Sequence, residues 1–107
     1  MDAASTAASY AEYLDDTVAV TSGAVTVAAV RARVVDYAPQ DLVSGIVQGD
    51  RKAILLAADL TAGGIALPLR KGDRLVWDGL ALIAQGKSMP RRVGATTVAV
   101  EVQVRGA

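Results

Sequence analysis

The side chains able to do chemistry in this 107-residue chain are eleven Lys and Arg against eleven Asp and Glu, with no His and no Cys. The missing imidazole and thiol remove the commonest general base, the commonest nitrogen ligand for a metal, and any thiolate nucleophile or disulfide. Carboxylates remain as candidates for general acid–base work. They are scattered, however, and most stand near Gly or Pro, where turn chemistry accounts for them without an active site. Asp78-Gly79 shares two residues with the Asp-Thr/Ser-Gly loop of aspartic proteases but lacks the hydroxyl residue between them, so it reads as a hairpin turn. Gly63-Gly64 is followed by no Gly-Lys-Ser/Thr and lacks a strand-to-helix setting, so it is a flexible turn rather than a phosphate loop. The chain therefore reads as a non-enzyme, with no catalytic residue, cofactor or metal assigned.

The cations suggest a different chemistry. Arg70, Lys71, Arg74, Lys87, Arg91 and Arg92 could form a basic patch for the phosphates of a nucleic acid, without sequence specificity. Nucleic-acid barrels usually interleave such cations with aromatic residues for base stacking, and only Trp77 lies among them. Its place in a strand beside a turn suits a core residue better. Formal charge sums to zero, yet it is unevenly spread. Residues 1–50 hold seven acids and two bases, a balance of −5, whereas residues 51–107 hold nine bases and four acids, a balance of +5. Such a chain either pairs its charges internally or presents two faces of opposite sign that dock head to tail between copies.

The elements that must position these groups are mostly strands. From Val98 to Val104 the valines recur at every second position while Ala99, Glu101 and Gln103 fall between them, the pattern of a strand with one buried and one wet face. Arg74–Trp77 and Leu80–Ala84 flank Asp78-Gly79, a strong hairpin signal. Thr17–Thr21 alternates and Ser22-Gly23 marks a turn. Beyond it, Val25 and Val27 share one phase while Val30, Ala32 and Val34 share the other, which requires a bulge near Ala28–Ala29. Lys52–Ala58 reads as a further strand. Ala7, Tyr10, Ala11 and Leu14 make one apolar stripe, giving a short helix over residues 4–14. Asp36–Gly49 and Gly86–Gly94 read as long loops.

These elements predict a single, mainly β domain over residues 1–107: a small antiparallel β-barrel or sandwich of five to six strands with one short N-terminal helix. With Phe absent, Ala, Val and Leu must fill its core. No apolar run reaches the roughly 18 residues needed to cross a bilayer, and the first residues lack the basic and apolar regions of a signal peptide. No membrane partner is expected.

The order of motifs is informative as a whole. A V-R-A-R-V strand ends at Asp36, a β-run ends in Ala57-Ala58-Asp59-Leu60, and a Pro-x-x-x-Gly-Asp turn spans Pro68 to Asp73. The run Gly72-Asp73-Arg74-Leu75-Val76-Trp77-Asp78-Gly79 follows, and the last strand carries Glu101-Val102-Gln103-Val104-Arg105. In this order the chain resembles the small head–tail joining (head-closure or neck) proteins of long-tailed bacteriophages and prophages. It departs from them after the hairpin, where an aromatic is common and Leu80-Ala81-Leu82-Ile83 stands instead. The resemblance implies a structural virion part, made in the bacterial cytoplasm and placed in the neck. It would form a ring at the portal exit and contact portal or adaptor and tail proteins. The residues expected at the assembly interface are Arg31, Arg33, Asp41, Asp50, Lys87, Arg91 and Arg92.

Overall fold

A computed structural model describes residues 14–36 and 50–106. Among the described residues there are seven strands: β1 (Asp16–Ser22), β2 (Val25–Asp36), β3 (Arg51–Leu56), β4 (Arg74–Trp77), β5 (Leu80–Ala84), β6 (Met89–Val93) and β7 (Thr96–Gly106). One helix, α1 (Ala57–Ala62), follows β3 directly. All pairings are antiparallel, and β3-β2-β1-β4-β5-β7 closes into a six-stranded barrel because β7 also pairs with β3. The seventh strand, β6, is additional. The eleven residues of β7 explain how it fits. One edge of β7 pairs with β3, while its other edge is divided between β6 along the first half and β5 along Val104–Gly106.

The antiparallel barrel or sandwich expected from the sequence is a barrel, with seven strands among the described residues where five to six were expected, and with differences in two of its parts. The expected helix over 4–14 lies outside the described residues, except for Leu14, which is buried and not helical. The helix that is described begins at Ala57, where the sequence reading continued a strand to Ala58; Thr61 Oγ1 donates back to the Ala57 carbonyl within it. The expected loop Gly86–Gly94 contains β6, which pairs with β7 from Met89↔Glu101 to Val93↔Thr96. The loop 36–49 lies outside the described residues apart from Asp36, the last residue of β2.

Local chemistry places the turns. Asp78 and Gly79 both have positive φ, 50° and 76°, the backbone that a two-residue primed turn requires and that Gly adopts freely. In the β1–β2 pair, Val18 faces Val30 but Val20 faces Val27, so Ala19 stands opposite both Ala28 and Ala29. This bulge lies where the valine phase flips.

Inside the barrel, Val18, Val20, Val30, Ala32, Ala53, Leu55, Leu75, Leu82, Ala84, Val100, Val102 and Val104 are all buried. A barrel of about eight strands is just wide enough for its own side chains, and six strands leave less. Ala and Val are therefore the right size, which accounts for a core without Phe. One mouth of the barrel is filled by Leu60 from α1 and by Ile65 and Leu69 from the strap that follows. The strap includes a cis Leu67–Pro68 bond and is tied to the barrel by Ser88, whose Oγ accepts from Leu69 N–H at 2.9 Å while Ser88 N–H donates to the Leu69 carbonyl at 3.0 Å. Trp77, expected as the largest core side chain, sits at the opposite mouth, half-buried against the core, with the Arg51 guanidinium 5.0 Å from its ring centre. The outer face of β7 is less wet than alternation alone predicts, because Ala99 is buried with Leu14, Ile54 and Leu56 in a second small cluster.

The contact between α1 and β2 is tight. A Cβ on Gly63, just past α1, would overlap a methyl of Val27, whereas one on Gly86 would meet open space. Gly63→Ala is expected to destabilise the fold by about 1–3 kcal/mol, the usual range for overpacking. Adding Val27→Ala should recover part of that loss in urea unfolding, and Gly86→Ala should lie close to wild type.

A cationic barrel end as the candidate functional site

Because the strands alternate in direction, the barrel has two chemically distinct ends. The first holds the β1–β2 turn, α1, the strap and the residues leading into β4, together with the overhanging β6–β7 hairpin. The second holds the start of β1, the end of β2, the start of β3, the β4–β5 turn and the end of β7.

The charges sort onto these ends. Arg70, Lys71, Arg74, Lys87 and Arg92 are all exposed at the first end. Apart from Asp59 of α1, which Arg31 neutralises, Asp73 is the one acid placed there among the described residues, and it serves the turn: it accepts from the Ser22 hydroxyl at 3.0 Å and from Arg70 N–H at 2.9 Å. That gives five positive charges against one negative, a balance of +4. At the second end, Asp15, Asp16, Asp36, Asp50 and Asp78 stand against Arg33, Arg51 and Arg105, a balance of −2 among the described residues.

Most of the remaining charges hold the frame. Arg31 binds Asp59 through two guanidinium bonds of 2.9 and 3.0 Å and one from its own backbone N–H at 2.9 Å, fastening α1 to β2. Arg33 lies 3.9 Å from Asp15, and Arg51 lies 3.1 Å from Asp36. Glu101 receives Arg91 at 2.6 Å and Lys52 at 3.4 Å, joining β6, β7 and β3 across their outer face. Asp50 is buried, only 2% exposed, and is met by Arg105 at 2.7 and 3.0 Å and by the Gln103 amide at 2.7 Å. Three of these pairs, Arg31–Asp59, Arg51–Asp36 and Arg105–Asp50, join the acidic half of the sequence to the basic half. Only Arg51–Asp36 and Arg105–Asp50 set an acid of the first half against a base of the second, so internal pairing absorbs a small part of the asymmetry, and a polarity between the barrel ends remains.

Of the seven residues expected at an interface, Lys87 and Arg92 are brought together at the cationic end, where they line one cleft. Arg91, next to them in sequence, points to the opposite face of β6 and is held by Glu101. Arg31 and Arg33 lie on the outer face of β2 with their acidic partners. Asp50 is internal, and Asp41 lies outside the described residues. Arg70, Lys71 and Arg74, read from sequence only as a patch for nucleic acid, join Lys87 and Arg92 at the same end. A chain-order signal for part of this existed: Arg70, Lys71, Arg74 and Lys87 lie just outside or at the first residue of strands, on connections that antiparallel alternation sends to one end, whereas Arg92 lies within β6.

Two clefts open at this end and share the strap as a wall. One, of about 260 Å³, is lined by Leu67, Pro68, Lys87, Pro90, Arg92 and Val100, with Ser88 and Thr97 adding hydroxyls. The other, of about 480 Å³, is bounded by Val25, Ile65, Ala66, Arg70, Lys71 and the Ser22–Asp73 pair. Each combines two free cations with an apolar wall. Among the described residues, no three carboxylates are grouped so as to hold a metal ion. No family model, no curated protein and no solved structure matches the chain.

Asp59 and Glu101 titrate below their ordinary range. Asp59 is held low chiefly by its hydrogen bond to Arg31, against the opposing effect of burial. For Glu101, burial pushes upward, but the Arg91 hydrogen bond and the charges of Lys52 and Arg91 together outweigh it, and the net direction is down. A folded-state pKa below the unfolded value stabilises the fold above the unfolded pKa and loses that contribution as pH falls through the folded one. Urea midpoints should therefore be level near neutral pH and fall as pH drops below the reference values of 4.5 for Glu and 3.8 for Asp. Glu101→Gln should remove the part of this slope that starts first; an unchanged slope would show that the Arg91–Glu101–Lys52 cluster contributes nothing.

Asp50 gives a larger expected effect. Asp50→Ala leaves the Arg105 and Gln103 donors without their acceptor, and breaking a buried pair costs about 3–5 kcal/mol. Since the Arg105 side chain is 42% exposed and can turn to water, the loss should lie at or below the lower limit of that range.

Proposed function

We infer that this protein is a non-catalytic structural part, a stiff barrel that assembles with copies of itself and with neighbouring proteins. In this reading it joins head to tail in a long-tailed phage or prophage, made in the bacterial cytoplasm and built into the virion neck. The observation that carries the reading is the polarity of the barrel: five exposed cations without ion pairs at one end, and an acidic balance at the other. Opposite ends of opposite sign favour a heterologous contact, in which one surface of a copy meets a different surface of the next. Such a contact yields a ring when the rotation between successive copies closes. The closed sheet supplies rigidity, and the β6–β7 hairpin with the strap supplies the projecting contacts. The motif order from Pro68 to Asp73, through the Asp78-Gly79 hairpin to Glu101–Arg105, supports placing that role at a portal exit.

A nucleic-acid module would draw on the same cations. It is favoured less, because Arg91 is occupied by Glu101 and Trp77 lies at the far end of the barrel. Among the described residues, no aromatic stands beside the free cations to stack a base.

Assembly is tested by sedimentation over a range of concentrations and by electron microscopy of the protein mixed with the portal protein from its own genome. Rings on the portal are expected. Lys87→Glu combined with Arg92→Glu should impair them while leaving the urea midpoint unchanged, since neither residue holds an internal ion pair. Arg91 is unsuitable for this test, because reversing it would also break the Glu101 cluster. Rings that survive the double reversal would exclude this surface as the contact, and failure to associate with the portal would exclude the role.

A further inference from the structure

We propose that the two clefts flanking the strap form a docking site for an extended acidic segment of a partner protein, one whose carboxylates alternate with aliphatic side chains. The proposal rests on the cationic end being a contact surface, as in the reading above, and adds what that surface recognises.

The chemistry of the walls identifies this partner. Lys87 and Arg92 at one cleft and Arg70 and Lys71 at the other are exposed and make no ion pair. With Arg74 they are the cations that the frame leaves unused, since Arg31, Arg33, Arg51, Lys52, Arg91 and Arg105 each have an acid within reach. Charge complementarity therefore asks for an anion. The walls ask for more than charge. Leu67, Pro68 and Pro90 line the cleft of Lys87 and Arg92, and Val25 and Ala66 line that of Arg70 and Lys71. A phosphate backbone would leave these apolar walls unmatched, whereas alternating Glu and Leu would fill both kinds of wall. In an extended segment, successive side chains point to opposite sides, so carboxylates and aliphatic groups can reach different parts of a cleft.

The clefts also have firm walls. The Ser88–Leu69 backbone and hydroxyl pair pins the strap, and the Arg70 N–H and Ser22 hydroxyl bonds fix the Asp73 turn. A segment that binds here meets a preformed surface and loses little affinity to ordering the site. The chain edge of β6 does not invite sheet extension, because Pro90 lacks an N–H to donate; side chains, not backbone pairing, must carry recognition.

The test uses the full-length protein at low salt and three fluorescent probes in anisotropy titrations: a peptide alternating Glu with Leu, an all-Glu peptide of equal length, and a DNA duplex. The alternating peptide should bind most tightly. Lys87→Glu with Arg92→Glu, and separately Arg70→Glu with Lys71→Glu, should each weaken it about tenfold or more. Circular dichroism and urea midpoints equal to wild type would show that these variants remain folded. Equal affinity for the all-Glu peptide would show that the apolar walls are idle and overturn the proposal. So would DNA binding as tight as the alternating peptide, or no peptide binding at all. Because the readout needs neither rings nor a portal, failure here would leave the assembly reading standing. Peptide binding without portal association would do the reverse.

Discussion

Closure of the sheet through β7 is the constraint on which the rest of the structure depends. By pairing with β3 along one edge and with β5 along the other, β7 turns a six-strand sheet into a barrel with no free edge in its wall. The enclosed space is narrow, so the inward positions must be small. Ala32, Ala53 and Ala84 are fully buried there beside the valines. What looks in composition like a poor core is a matched one. The same closure leaves the barrel two mouths, and each is stopped differently: α1 and the strap bring Leu60, Ile65 and Leu69 to one, while Trp77 and Arg51 lie over the other.

Charge is then divided between frame and surface. Pairs such as Arg31–Asp59 and Arg105–Asp50 tie segments that are distant in sequence, and the buried carboxylate of Asp50 accepts from both Gln103 and Arg105. A carboxylate so enclosed stabilises through its hydrogen bonds rather than through charge alone. The cations left over are gathered at one end, on its connections and on β4 and β6, where nothing in the described frame neutralises them. Recognition by an anionic partner needs such surplus charge on a rigid support, and the barrel provides both.

Features governed by neighbouring residues were legible in the sequence. The Asp78-Gly79 hairpin could be read because a primed turn demands positive φ at both positions. The bulge opposite Ala19 could be read because a strand cannot change valine phase without an extra residue. Features governed by distant residues were not. Met89–Val93, with Pro90 and two arginines, has the composition of a loop and becomes a strand because the first half of β7 offers it an edge. Ala57–Ala62 leaves the sheet because Leu60 is needed to fill the mouth, a demand set by the whole barrel. Asp50 reads as a surface acid beside Gly49, and only the approach of Gln103 and Arg105, more than fifty residues later, makes it internal. At the candidate site, the cations could be enumerated from the sequence, but which were occupied could not. Arg91 and Arg92 are adjacent and chemically alike, yet the strand periodicity of β6 sends one to Glu101 and the other to a cleft.

The divided edge of β7 also sets the order in which the molecule can be built. While the chain is being synthesised, β1 can pair with β2, β2 with β3, and β4 with β5 as soon as each is made. The pairs that seal the wall, from Arg51↔Val104 to Leu56↔Ala99, join residues about half the chain apart and cannot form until residues 99–104 have emerged from the ribosome. Until then β3 and β5 each expose an unpaired side, and these are the positions at which a nascent chain is most open to pairing with another copy.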